Sequence, residues 1–224
     1  MKAPGAVSRR VVLGRATRVA FGIAAAGWAF GARADDALEF ARSMRTDDGR
    51  LAAALLERGA DPNAPDADGQ VPLFLALRDG SPRVAAALLA SPRLAVDAAN
   101  RAGETPLMMA ALRAETDFVR RLLERGAQVN REGWTPLHYA ASGPGIDVVA
   151  LLLDRGAAIE AVSPNRTTPL MMAAGYGAID AAELLLRRGA DPKARNDAGL
   201  TAADFAARAG RDALQRRLEQ AAAR

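Results

Sequence analysis

Apolar positions fall in pairs of short clusters along this chain, and the pair recurs. The stretches VPLFLAL (71–77), TPLMMAA (105–111), TPLHYAA (135–141), TPLMMAA (168–174) and the degenerate TAADFAA (201–207) begin 34, 30, 33 and 33 residues apart. Behind the first four comes a second apolar segment, VAAALLA, FVRRLLERGA, VVALLLDRGA or AAELLLRRGA, and LAAALLERGADPN (51–63) supplies the same ending for a unit ahead of them. Within these clusters the leucine, the second alanine and the paired leucines return at helical spacing, which predicts two short helices per unit, each with one buried face. Thr or Val followed by Pro sets φ at the first helical position, where the missing N–H costs nothing. Gly59, Gly126, Gly156 and Gly189 each follow a leucine-rich segment, where a left-handed residue ends a helix. Small alanines allow paired helices to approach closely.

Two-helix units of this period, opening on a TPLH motif at residues 135–138, resemble ankyrin repeats. The resemblance covers roughly residues 36 to 220 and implies an all-α ankyrin-repeat solenoid of stacked helix-turn-helix units with short hairpin loops. It divides the chain into an N-terminal cap (35–65), repeats 66–99, 100–129, 130–162 and 163–195, and a C-terminal cap (196–224). DALEFARSM (36–44) is expected as the first helix of the N-terminal cap, and TAADFAARAGRDALQRRLEQ (201–220) as the body of the other. A single unit cannot bury both of its faces, so stacking supplies the core and the end units are polar outside.

His138, the one histidine of the chain, changes meaning in this frame. Beside Trp134 and Tyr139 it suggests a catalytic cluster, yet it stands at the fourth position of the TPLH motif. There the resemblance implies a hydrogen bond to the backbone of its own or the neighbouring turn, and Phe74, Met108 and Met171 take the same place elsewhere. A general base needs a nucleophile or an oriented carboxylate in reach, which the repeat does not supply at a fixed place. PDADG (65–69) lacks the first and last ligands of a calcium loop and reads as a hairpin turn. SGPG (142–145) lacks the lysine of a phosphate-binding loop and reads as the turn between two helices, and the methionine pairs 108–109 and 171–172 read as core.

Two departures from the period stand out. VNREGW (129–134) replaces the longer VDAANRAGE (96–104), so this loop is three residues short and leaves a notch with Trp134 beside it. Arg166 replaces the glycine found at 69, 103, 133 and 199, a left-handed position that costs another residue about 1 kcal/mol.

Charge redirects the reading of the front of the chain. A net charge of +4 and a pI near 10.2 suggest nucleic acid. Six of the 30 basic residues (Lys2, Arg9, Arg10, Arg15, Arg18 and Arg33) precede the first acid, leaving 24 against 26 acids in the body and no basic stripe for phosphates. A basic start, the apolar run VAFGIAAAGWAF (19–30) and the small residues of ARA (32–34) predict a signal peptide, residues 1–34, cut after Ala34. The run is too short to span about 30 Å of hydrocarbon. SRRVVLG (8–14) partly resembles a bacterial twin-arginine signal, with Val12 where Phe is usual, so that route and general export both stay open. With no cysteine there is neither a disulfide nor a zinc-thiolate site, and one histidine makes a multi-histidine metal site unavailable.

The expectation is therefore a non-enzymatic, monomeric, periplasmic module without cofactor or metal. It binds a partner protein, such as a periplasmic enzyme or a toxin, and neither nucleic acid nor, once cleaved, a membrane. By the resemblance, loop tips and the first helices carry the contact. On the loops these are Arg101, Glu104, Arg131, Glu132, Trp134 and Arg166. On the inner face they are Arg78, Arg113 and Arg208, expected in one row with Tyr176. Two other readings stand beside it: an enzyme with a site around Trp134, His138 and Tyr139, and a cytoplasmic adaptor tethered by an uncleaved N-terminal segment.

Overall fold

A computed structural model describes residues 36–224; the predicted signal peptide lies outside them. The described residues form twelve helices. α1 covers residues 36–45 and is followed by α2 (Gly49–Glu57), α3 (Pro72–Arg78), α4 (Pro82–Ala90), α5 (Pro106–Leu112) and α6 (Thr116–Glu124). Then come α7 (Pro136–Ser142), α8 (Ile146–Asp154), α9 (Pro169–Gly175), α10 (Ile179–Arg187), α11 (Ala202–Arg208) and α12 (Asp212–Ala222). The sequence expectation of an all-α stack of helix pairs holds.

Each pair starts for the reason read from the sequence. Val71, Thr105, Thr135 and Thr168 are extended N-caps, each followed by proline at the first helical position. The last unit has Ala202 in place of proline, and a capping box takes over: the N–H and Oγ1 of Thr201 donate to Asp204 Oδ2 at 2.7 and 2.8 Å. These bonds hold the Asp204 carboxyl below its ordinary value. Gly59, Gly126, Gly156 and Gly189 end α2, α6, α8 and α10 at φ between 83 and 98°.

Helices α3, α5, α7, α9 and α11 pack side by side in one row, here called inner, and each also packs on its own second helix. The outer row forms behind them, with α2 on α4, α6 on α8, and α8 on α10. The interior repeats in register. Leu73, Leu107, Leu137 and Leu170 are 0–1% exposed, and so are Ala76, Ala110, Ala140, Ala173 and Ala206, where two inner helices meet with no side chain beyond a methyl. Leu88, Leu122, Leu152, Leu185 and Leu218 form the matching outer layer at 0% exposure, each worth about 1.5–3 kcal/mol in apolar burial. At the C-terminal end, α12 turns Arg216, Arg217, Glu219 and Gln220 to solvent and so closes the stack.

Candidate partner-binding surface

The loops between units are turns rather than strand-paired hairpins, and four of them share one construction. Asp66, Asn100, Ser163 and Asn196 each donate their N–H to the carbonyl four residues on, at 2.9–3.1 Å. Their carbonyls accept the N–H of Gly69, Gly103, Arg166 and Gly199 at 2.8–2.9 Å. Their side-chain oxygens accept further N–H groups inside the loop, as from Gln70, Glu104, Thr167 and Leu200. Arg166 adopts φ +61°, beside +76, +79 and +73° for the equivalent glycines, as its position in the period predicts. Its side chain is exposed at the loop tip.

The short loop lacks this turn. Gly133, at φ +76°, leads directly into Trp134, which stands just before the Thr135 cap. The indole is 36% exposed and meets the His138 ring edge-on, with centroids 5.3 Å apart and planes at 76°.

His138 itself is 0% exposed. Its Nδ1 accepts the Thr135 N–H at 3.2 Å, which assigns the proton to Nε2, and Nε2 donates to the Thr167 carbonyl at 2.9 Å. Burial pushes the imidazole below its ordinary value of 6.5, against the opposing pull of the backbone bonds to Thr167 and Ala161. The other units place Met108 Sδ, Met171 Sδ and Asp204 Oδ2 on the corresponding cap N–H groups. The residue at this place therefore fastens a helix start in four units, whether it is histidine, methionine or aspartate, while Phe74 makes no such bond. With both ring nitrogens bonded to the fold, His138 has none to offer a substrate.

Tyr139 is half-buried, and its hydroxyl donates to Glu104 Oε1 at 2.8 Å. Glu104 Oε2 accepts from Asn100 Nδ2 at 2.7 Å, which ties the preceding loop to α7. Burial first, and then the bond to Glu104, raise the Tyr139 pKa far above its ordinary value. The charge of Arg131 acts on the same hydroxyl in the opposite sense.

Beneath Trp134 a cleft of about 240 Å³ crosses three inner helices, lined by Leu112 of α5, His138, Tyr139 and Ser142 of α7, and Met172 of α9. Trp134 completes the lining, and Glu104 and Arg131 act on its Tyr139 hydroxyl, whereas the Arg113 guanidinium lies toward Gly80 of the preceding unit. The other expected contacts are dispersed. Arg78 is bound to its neighbour Asp79 at 2.7 Å, so its charge is locally offset. Arg101 donates to Ala67 O at 3.0 Å and lies across the backbone of Gly69, tying one loop to the previous one. Glu132 and Arg208 are exposed and do not line the cleft. The single row expected from the sequence resolves into two. Arg78 and Arg208 are the last helical residues of α3 and α11, whereas Arg113 and Tyr176 are the residues that follow α5 and α9. Tyr176 remains 65% exposed.

A second feature escaped the sequence reading. Side-chain oxygens of Asp36, Asn63, Asp97, Asn130 and Glu160 each accept a backbone N–H from far along the chain, those of Asp61, Ala95, Gln128, Ala158 and Asp191, and the bonds of Asn63, Asp97 and Glu160 cross from one unit to the next. The signal is a polar side chain four residues after each helix-ending glycine at 59, 126 and 156, but the residue type varies enough to hide it. Arginines add to the fastening. Arg93 donates to the carbonyls of Leu56, Gly59 and Ala60, and Arg211 to those of Ala173, Ala174 and Gly177.

Family models described as "Ankyrin repeats (3 copies)" match residues 43–132 and 92–163, and one described as "Ankyrin repeats (many copies)" matches residues 159–206. Among curated proteins, the human "Neurogenic locus notch homolog protein 4" is 46% identical over 72 residues, which is 32% of this chain. The chain spans about 4% of the length of that relative.

Proposed function

Because this chain belongs to the ankyrin-repeat family, whose units typically act as non-enzymatic interaction scaffolds between proteins, we propose that it is a periplasmic binding module that holds one partner protein against its inner face. In this reading residues 1–34 direct export through the twin-arginine or the general route, cleavage follows Ala34, and the released monomer engages an enzyme or a toxin in the periplasm. The basic start, the apolar run and the ARA site support the export step. No helix among the described residues is long and apolar enough to cross a membrane.

The observation that carries the binding site is the Trp134 cleft. It is an apolar hollow on the inner row, with the exposed Arg113 and Tyr176 following α5 and α9, the two inner helices on either side of α7. Arginine and large aromatics dominate the energetics of protein interfaces when they surround a desolvated pocket.

The test expresses the full chain with a C-terminal tag in a bacterial host, recovers it from the periplasmic fraction, and identifies both its first residue and the proteins it retains. An Arg113→Ala, Trp134→Ala, Tyr176→Ala variant runs alongside. The expected result is a chain beginning at Asp35 that retains a protein which the variant loses. Equal retention by the variant moves the interface off the inner face, and retention of nothing above an untagged control overturns the binding reading. A chain beginning at Met1 in the membrane or cytoplasmic fraction replaces export with the tethered adaptor.

A further inference from the structure

The walls of the Trp134 cleft restrict what can fill it. Every buried side-chain nitrogen and oxygen among the described residues already has a hydrogen-bond partner. Around the cleft, Ser142 Oγ donates to His138 O at 2.8 Å, the Tyr139 hydroxyl is bound to Glu104, and both His138 ring nitrogens are bound to the fold. The exposed lining is almost entirely carbon, so a polar occupant would lose its water for little return from these walls. The two charges that act on the Tyr139 hydroxyl, Glu104 and Arg131, have opposite signs, so neither cation nor anion is favoured at that edge. At about 240 Å³ the hollow is smaller than the ~300–1,000 Å³ typical of small-molecule pockets, and it fits one side chain. Trp134 lines the cleft, and its indole N–H has no hydrogen-bond partner among the described residues.

Resting on the binding reading above, we infer that this cleft receives a single uncharged apolar side chain, phenylalanine or leucine, from the partner protein, and that the backbone carbonyl of that residue accepts the Trp134 Nε1–H. The cleft is rigid before binding, since His138 and Tyr139 are each held by bonds to another unit, and this limits the entropy lost on association.

The test is a titration of the full chain, carrying ¹⁵N-labelled indoles, with N-acetyl-phenylalaninamide, N-acetyl-leucinamide and N-acetyl-glutaminamide. The Trp134→Phe variant assigns the Trp134 signal against that of Trp28. The expected result is a saturable shift of the Trp134 resonance with the first two amides, at least tenfold weaker with the glutamine amide, and abolished in Met172→Lys. Ser142→Phe fills the same hollow without a charge and serves if the lysine variant does not fold. No shift with either apolar amide, an equal shift with glutaminamide, or a shift that survives both filled variants overturns the inference. Failure here and failure of the binding reading are separable. A partner captured equally by parent and filled variant removes the cleft but keeps the module, and capture of nothing removes the module.

Discussion

His138 combines two features that suggest catalysis, its uniqueness and its aromatic neighbours, with a position that denies it. Both nitrogens are bonded, to Thr135 and Thr167, and the ring is fully buried. Truncation to alanine takes the acceptor from the buried Thr135 N–H and opens a void, so His138→Ala is expected to lose about 2–4 kcal/mol of stability. The pH dependence has a definite sign. The folded pKa lies below the ordinary 6.5, so the neutral ring is the one the fold prefers. Its contribution is complete above pH 6.5 and diminishes as pH falls from there to the folded pKa, by at most about 1.4 kcal/mol per pH unit, because the unfolded chain takes up the proton first. Urea unfolding at pH 7.5 and 5.5 should therefore show a loss in the parent that His138→Met, which copies the residue of two other units, does not show. Arg166 belongs to the same scale. Its left-handed φ follows from a turn that three other loops make with glycine, and its predicted conformation needed no contact to foresee.

Between residue and molecule lies the bonding of one unit to the next. The helices themselves were legible from Thr-Pro starts, leucine spacing and glycine ends, because each of these acts on the backbone within a few residues. The five side chains that reach a distant backbone N–H, three of them in the following unit, were not legible. Aspartate, asparagine and glutamate all serve, and only the stacked geometry shows that each position meets a donor some 25 to 32 residues on. Asn63→Ala and Asn130→Ala are each expected to cost about 0.5–1.5 kcal/mol, the net worth of a hydrogen bond whose exposed donor turns to water. The two sites have no shared partner, so the double variant should lose the sum within about 0.5 kcal/mol, read from denaturant midpoints at unchanged m.

At the scale of the whole molecule, stability depends on contact between neighbours in a linear array. The α7–α9 junction is the tightest approach of backbone to glycine: a Cβ on Gly177 would stand 1.8 Å from the Ala141 carbonyl oxygen. Gly177→Ala should therefore separate the two halves of the stack. We expect a loss above about 3 kcal/mol and a broadened urea transition with reduced m, where the parent unfolds more cooperatively. Gly143, within SGPG, meets the Leu112 carbonyl in the same way, which explains a glycine pair that resembles a phosphate loop only in composition. The candidate site was legible in part. The missing residues of the 129–134 loop marked Trp134, and the period placed Arg113 and Tyr176 at the end of inner helices. The cleft was hidden, because Leu112 and Met172 belong to α5 and α9 and reach Trp134 only across α7. By itself the sequence determined the class, the helix boundaries, the left-handed positions and the structural place of His138, all of which depend on local sterics and on a period repeated several times. Only the tertiary structure decided which satisfied polar groups face the hollow, which arginines are already bound, and which glycines are obligatory, because each of these is a distance between units that the linear order leaves free.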